Sequence, residues 1–169
     1  LNYCYDPAGN ITHIRDDAQQ TVYFRNRRVD PSTDYTYDAI YRLIEATGRE
    51  HLGQTGGQPN PPAVPDAFNS FHTRLDQPGD GNAMGTYVER YVYDAAGNIL
   101  ATQHRGSDPA HAGWTRTYSY NEASQLEADK ENNRLSRTTV DSTDETYSYE
   151  GSAGLHGNIT ATPHLPLMQ

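Results

Sequence analysis

The chain is short of the residues that usually build a core. Leu, Ile, Val and Phe together number 25 of 169, under the roughly 20% below which a chain of high net charge starts to read as disordered. A single cysteine, Cys4, excludes an internal disulfide and says little about compartment. No apolar run approaches the roughly 18 residues of a membrane-spanning helix, and no signal-peptide pattern is visible. Basic residues are scarce: 13 Lys and Arg face 22 Asp and Glu, for a net charge of −9. Their one cluster is Arg25, Arg27 and Arg28. Phosphate backbones and anionic lipid demand a basic surface, so neither nucleic-acid binding nor membrane insertion is expected.

Tyrosine is what the chain has, and it is placed in order. Ten of the 13 Tyr sit in five Tyr-x-Tyr pairs: Tyr3 and Tyr5, Tyr35 and Tyr37, Tyr91 and Tyr93, Tyr118 and Tyr120, Tyr147 and Tyr149. Residues two apart in a strand share a face, so each pair predicts one aromatic face, and the rings become a main source of buried area. In two units the pair leads into Asp-x-x-Gly-Asn-Ile: Asp6, Gly9, Asn10, Ile11, and Asp94, Gly97, Asn98, Ile99. Asp at the first position and Gly at the fourth, with Pro7 at the second position of the first copy, are type I turn chemistry. Each unit therefore predicts a strand, a reversal and a return strand. Two further units lack the Gly. One runs through Asp38 to Arg42 and Leu43, the other through Asn121 to Gln125 and Leu126, and the side chains four apart are expected to meet across the turn. A looser copy ends at Gly157 and Asn158.

Repetition on this scale predicts an all-β repeat segment, its hairpins side by side in one curved sheet, rather than a fold closed on itself. The whole of 1–169 reads as one segment, with units near 1–15, 33–47, 87–102, 114–128 and 143–162. The second Tyr of successive units recurs after 32, 56, 27 and 29 residues, and the long interval marks an insertion at 48–86. That stretch holds 7 of 14 Gly and 5 of 10 Pro, reads as a surface loop or, alternatively, as a segment that covers or touches something, runs extended from Gln58 to Pro65, and has room for a turn or two of helix at Pro65 to His72. Starting at Leu1 and stopping soon after its last unit begins, the chain reads as a piece of a longer polypeptide, held by neighbours at its open edges.

Reactive constellations are not found. The seven His show no ligand spacing for zinc. Asp76 to Asn82 resembles a calcium loop poorly, with Pro78 at a ligand position. Asp6, Asp38 and Asp94 are read as turn residues, and the Asn-Ile-Thr triplets at Asn10 and Asn158 as turn exits. No enzyme activity, cofactor or metal is expected. Glu89, Arg116 and Glu145 stand four residues before the second Tyr of their units. The simplest reading has all three solvated; the alternative is an ion ladder reaching across an intervening strand.

These motifs resemble the YD repeats of Rhs proteins. The later run of Trp114, Arg116, Tyr118 and Tyr120, then Asn132 to Leu135, then His156 to Asn158 and Pro163 to Leu165, is similar to the Rhs region of the C component of Tc insecticidal toxin complexes. The resemblance implies a hollow shell of spiralling strands (the β-cocoon of this family) around a toxic C-terminal polypeptide, secreted by a bacterium, with a B-type shell component as a further partner. This segment would be a piece of wall. The competing expectation is a cell-surface module that holds carbohydrate or a protein partner on its aromatic faces.

Overall fold

The computed structural model describes residues 1–52, 80–109, 113–124, 126–140, 142–149 and 158–162. The helical turn expected at Pro65 to His72, most of the Asp76 to Asn82 loop, Gln125, His156, Gly157 and Pro163 to Leu165 lie outside the described residues.

Thirteen strands are described: β1 (Asn2–Tyr5), β2 (Ile11–Arg15), β3 (Val22–Phe24), β4 (Arg27–Val29), β5 (Ser32–Tyr37), β6 (Leu43–His51), β7 (Met84–Tyr93), β8 (Ile99–Gly106), β9 (Trp114–Ser119), β10 (Arg137–Val140), β11 (Thr143–Thr146), β12 (Ser148–Tyr149) and β13 (Ile159–Ala161). Nine of them form one open antiparallel sheet in the order β1-β2-β5-β6-β7-β8-β9-β10-β11. Chain neighbours are sheet neighbours throughout, apart from the β3–β4 hairpin, which leaves the sheet between β2 and β5 and packs on β7. The last pair, β12–β13, is a separate ribbon, so the fifth unit departs from the single sheet expected: Tyr147 lies between β11 and β12.

The reversals follow from local chemistry. In the turns from Asp6, Asp38 and Asp94, the aspartate carbonyl accepts from the amide three residues on, at 3.0, 3.0 and 3.2 Å. Its own amide donates to the carbonyl four residues on, at 2.9 Å in all three. This is a type I turn closed by a left-handed residue, a three-residue hairpin loop with its bulge. Gly9 and Gly97 supply the left-handed residue with φ of 94° and 96°. Tyr41 takes the same place at φ 67°, which a side chain occupies at a cost of about 1 kcal/mol. The pairing register shifts at the second Tyr of each of these units, between Cys4 and Tyr5, Thr36 and Tyr37, and Val92 and Tyr93.

Alternation then sorts the faces. Along β7, Tyr87, Glu89 and Tyr91 are partly covered while Thr86 and Arg90 are exposed; after the bulge Tyr93 is covered and Val92 exposed. Beneath the rings lie small residues of neighbouring strands, with Ala46, Thr102, Thr138 and Val140 buried. Tyr87 lies flat across Gly48, where a Cβ would come within 2.8 Å of the ring hydroxyl. An aromatic laid over a glycine of the next strand covers backbone that has no side chain of its own.

Three expectations are corrected here. The ends of the 48–86 stretch are strand rather than surface loop: β6 continues to His51 and β7 starts at Met84, with Glu50 opposite Gly85. Gly48 and Gly85, read as loop glycines, are instead sites where Tyr87 and Leu52 close on the backbone. In the fourth unit Leu126 is 87% exposed, and the return strand is β10, reached only after a longer excursion bridged at Ala123 and Glu131. In the first unit Tyr3 and Tyr5 do share a face, with ring centroids 6.5 Å apart. They are 44% and 60% exposed, because β1 is an edge strand.

Candidate functional site

The second tyrosine of each pair after the first reaches into the unit before it. Tyr37 donates its hydroxyl proton to the carbonyl of Ile11 at 2.9 Å, Tyr93 to Leu43 at 2.8 Å, Tyr120 to Ile99 at 2.9 Å and Tyr149 to Leu135 at 2.9 Å. In every case the acceptor is the Ile or Leu that follows the Asn or Arg of the preceding turn. A half-buried ring thus keeps its polar tip satisfied while spanning two units. Burial raises the pKa of Tyr93, Tyr120 and Tyr149, which keeps these donors protonated.

Arginine strengthens two of the four joints. The Arg42 guanidinium lies 4.8 Å from the Tyr93 ring centre and donates to the carbonyl of Asp94 at 3.1 Å. Its Nε meets Asp38 at 2.7 Å, so the charged pair read from the spacing is formed. Asn10 and Asn98 do the same work in the Gly turns, donating to Asp6 and Asp94 at 2.8 and 2.7 Å. These contacts lower the pKa of all three aspartates: the Asn10 side chain dominates at Asp6, the Arg42 amide at Asp38 and the Asn98 side chain at Asp94. In the fourth unit the place of Arg42 is taken by Arg134, 5.4 Å from the Tyr149 ring centre, and the place of Leu43 by Leu135. Among the described residues Leu126 makes no such joint.

A second feature crosses three strands. His104 on β8 is 7% exposed. Its Nε2 meets Glu50 of β6 at 2.8 Å and its Nδ1 meets Glu89 of β7 at 3.1 Å. The ring is stacked between Tyr87 at 5.1 Å and Trp114 at 5.4 Å. Hydrogen bonds to Glu50 and then Glu89 raise its pKa from 6.5 to about 9, against the opposing effect of burial. The His104 bond in turn lowers the pKa of Glu89, whose other oxygen accepts from Tyr91 at 2.6 Å. An imidazolium with both N–H groups committed to carboxylates has no lone pair to lend to a metal ion or to a proton in flight. Glu50 Oε1 is buried with no hydrogen-bond partner among the described residues.

Glu89 and Glu145 are therefore not solvated, which corrects that reading. Glu145 is 7% exposed, accepts from Thr138 at 3.0 Å and sits 3.8 Å from Arg116 across β10. The ladder alternative holds for this pair, whereas Glu89 turns to His104 instead. The basic cluster is also spent internally: Arg25 pairs with Asp108 at 2.6 Å, Arg27 donates to the carbonyl of Ser107 at 2.6 Å and Arg28 pairs with Asp30 at 3.0 Å. Tyr118 lies beside Thr102 at 3.4 Å and Tyr147 beside Thr138 at 3.5 Å. Asn158 precedes β13. The spacing pointed to none of Glu50, His104, Arg134 or Leu135 as a joint, since their partners come from other strands.

No family model matches the chain. It is 38% identical over 106 residues to toxin subunit YenC2 of Yersinia entomophaga, covering 62% of this chain and 10% of that protein. It is 36% identical over 104 residues to toxin subunit YenC1 of the same organism, covering 62% and 9%. The chain resembles toxin subunits of the Tc C component. Among solved structures, TcdB2–TccC3 without its hypervariable C-terminal region superposes with a TM-score of 0.54 at 26% identity, over 96% of this chain and 7% of that one. The segment spans about a tenth of the curated C subunits it matches. Sequence and fold agree on a likeness to Tc toxin subunits, which supports a role within such a subunit.

Proposed function

We propose that this segment is a stretch of wall in a Tc-type toxin subunit, a shell of YD hairpins that encloses a toxic C-terminal polypeptide, and that it carries out no reaction. The supporting observation is the joint itself: one open sheet in which each unit's second tyrosine grips the unit before, in a chain similar to C subunits. Among the described residues its buried charged groups, His104 with Glu50 and Glu89, and Glu145 with Thr138 and Arg116, are engaged within the sheet rather than arranged around a substrate. Its partners are then the rest of the same shell, the enclosed polypeptide and a B-type component, and its setting is outside the bacterium that secretes it.

The carbohydrate-binding alternative needs aromatic faces turned outward as platforms. Trp114 lies against His104 with ring planes 7° apart, and the second ring of each pair beyond β1 is held by a carbonyl of the unit before it, so no specific observation favours it.

Limited proteolysis of the full-length subunit tests the proposal. The downstream polypeptide should resist a protease that cuts it readily once the shell is unfolded. A Tyr93→Phe/Tyr120→Phe variant should release fragments of it several-fold faster, and equal cleavage with and without an intact shell would overturn the reading.

A further inference from the structure

His104 ties three strands together beside the corner of the sheet where the β3–β4 hairpin docks. Two residues beyond Glu50, Leu52 donates its amide to the carbonyl of Ala83 at 2.8 Å and closes over Gly85, which leaves Leu52 and Ala83 5% and 0% exposed. Three residues beyond His104, the Ser107 amide donates to the Thr86 carbonyl at 2.8 Å and the Ser107 hydroxyl accepts from the Thr86 amide at 3.0 Å. The hairpin packs on β7 and holds the same corner, with Arg27 on the Ser107 carbonyl and Arg25 on Asp108. Around the His104 ring, β6 contributes Glu50, β7 contributes Glu89 and the Tyr87 ring, and β9 contributes Trp114, while Arg116 of β9 lies 3.8 Å from Glu145. Arg105 next to His104 donates to the carbonyls of His104 and Trp114. Burial first and Glu89 second raise the pKa of Tyr87 and Tyr91, so both phenols stay protonated. His104 is the group of this cluster that changes charge on the way to pH 9.

We propose that the His104 imidazolium is an alkali-labile pin: when it loses its proton, Glu50 leaves the cluster and the end of β6 opens with the corner packed on it, while the rest of the sheet stays closed. A neutral ring has one N–H for two carboxylates, so its bare nitrogen faces an anion and two negative charges share a buried site without a cation. Glu89 is fixed in mid-strand and keeps the Tyr91 hydroxyl at 2.6 Å. Glu50 stands one residue from the end of its strand, and its Oε1 has no hydrogen-bond partner among the described residues, so it is the carboxylate that gains by turning to water. Opening a strand end exposes far less than unfolding the sheet and takes correspondingly less free energy. The pin stands on this cluster alone and holds whether or not the wall encloses cargo.

Thiol labelling in the full-length subunit tests it, with rates read peptide by peptide against a free cysteine peptide at the same pH. Ala83→Cys places a reporter under the corner, and Val140→Cys, at a site 1% exposed on β10, reports on the sheet away from it. The ring has a pKa of about 9 when closed and the ordinary 6.5 once open, so labelling of Ala83→Cys should speed up at least about tenfold from pH 7 to pH 9, and that of Val140→Cys far less. Hydrogen exchange in the unmodified subunit, corrected for intrinsic rates, should show the Leu52 amide losing protection over the same range. Glu50→Gln should remove most of the rise, because an amide donates to the bare nitrogen and no second carboxylate is stranded. No rise at Ala83→Cys or at the Leu52 amide, an equal rise at Val140→Cys, or the full rise in Glu50→Gln would each overturn the proposal.

Discussion

A left-handed residue closes each of the three aspartate turns, and the side chain it carries sets the strain. Gly9 and Gly97 adopt φ near 95° without a Cβ, and nothing else lies within 4 Å of where one would be, so the restriction at these positions is conformational and not steric crowding. Gly97→Ala should therefore cost about 1 kcal/mol in chemical denaturation, and Tyr41→Gly should be neutral or stabilising by up to about 1 kcal/mol, because Tyr41 is exposed and holds the same place at φ 67°. A Gly97→Ala variant as stable as the parent would show that the turn has another solution. The turn residues were legible in the sequence because the bonds that close each turn lie within four positions. Asp38 and Arg42 meet for the same reason that Asp6 and Asn10 do. Arg134 was not legible: the excursion from Asn121 to Leu135 separates it from its tyrosine pair, and Gln125 and Leu126 offered a closer match to the pattern.

Between strands the stakes are coverage and charge. Tyr87 covers Gly48 so closely that Gly48→Ala forces the ring aside, and overpacking of that kind typically costs about 1–3 kcal/mol. A matched Gly48→Ala/Tyr87→Leu pair should recover part of the loss, which a double-mutant cycle reads directly. His104 brings pH into the same region. Its folded pKa of about 9 stands above the ordinary 6.5, so its ion pairs stabilise fully below about pH 6.5 and are lost as pH rises through 9. Thermal unfolding should show the midpoint falling across that window in the parent chain. His104→Gln should lower the midpoint at pH 6 and flatten the fall; an unchanged slope would mean that the imidazole does not bridge the carboxylates. None of this was visible in the chain order, because Glu50, Glu89 and His104 become neighbours only once β6, β7 and β8 pair. The aromatic periodicity was visible, since a stride of two residues fixes a face whatever the neighbouring strands contain.

For the molecule as a whole, the sheet is open and short of aliphatic residues, and it coheres through a repeated joint. A globular core would spread its stability over many contacts of no fixed pattern. Here a tyrosine hydroxyl bonded to one backbone carbonyl recurs four times in one register among the described residues, and a likeness to toxin subunits of which the matched stretch makes up about 10% gives that repetition a setting in which to continue. Removing only the hydroxyls measures the joint most directly. Tyr37→Phe, Tyr93→Phe, Tyr120→Phe and Tyr149→Phe should each lower unfolding free energy by about 1 kcal/mol, while Tyr23→Phe, at a ring 73% exposed and outside the joints, should leave it unchanged. Four variants as stable as Tyr23→Phe would contradict the account.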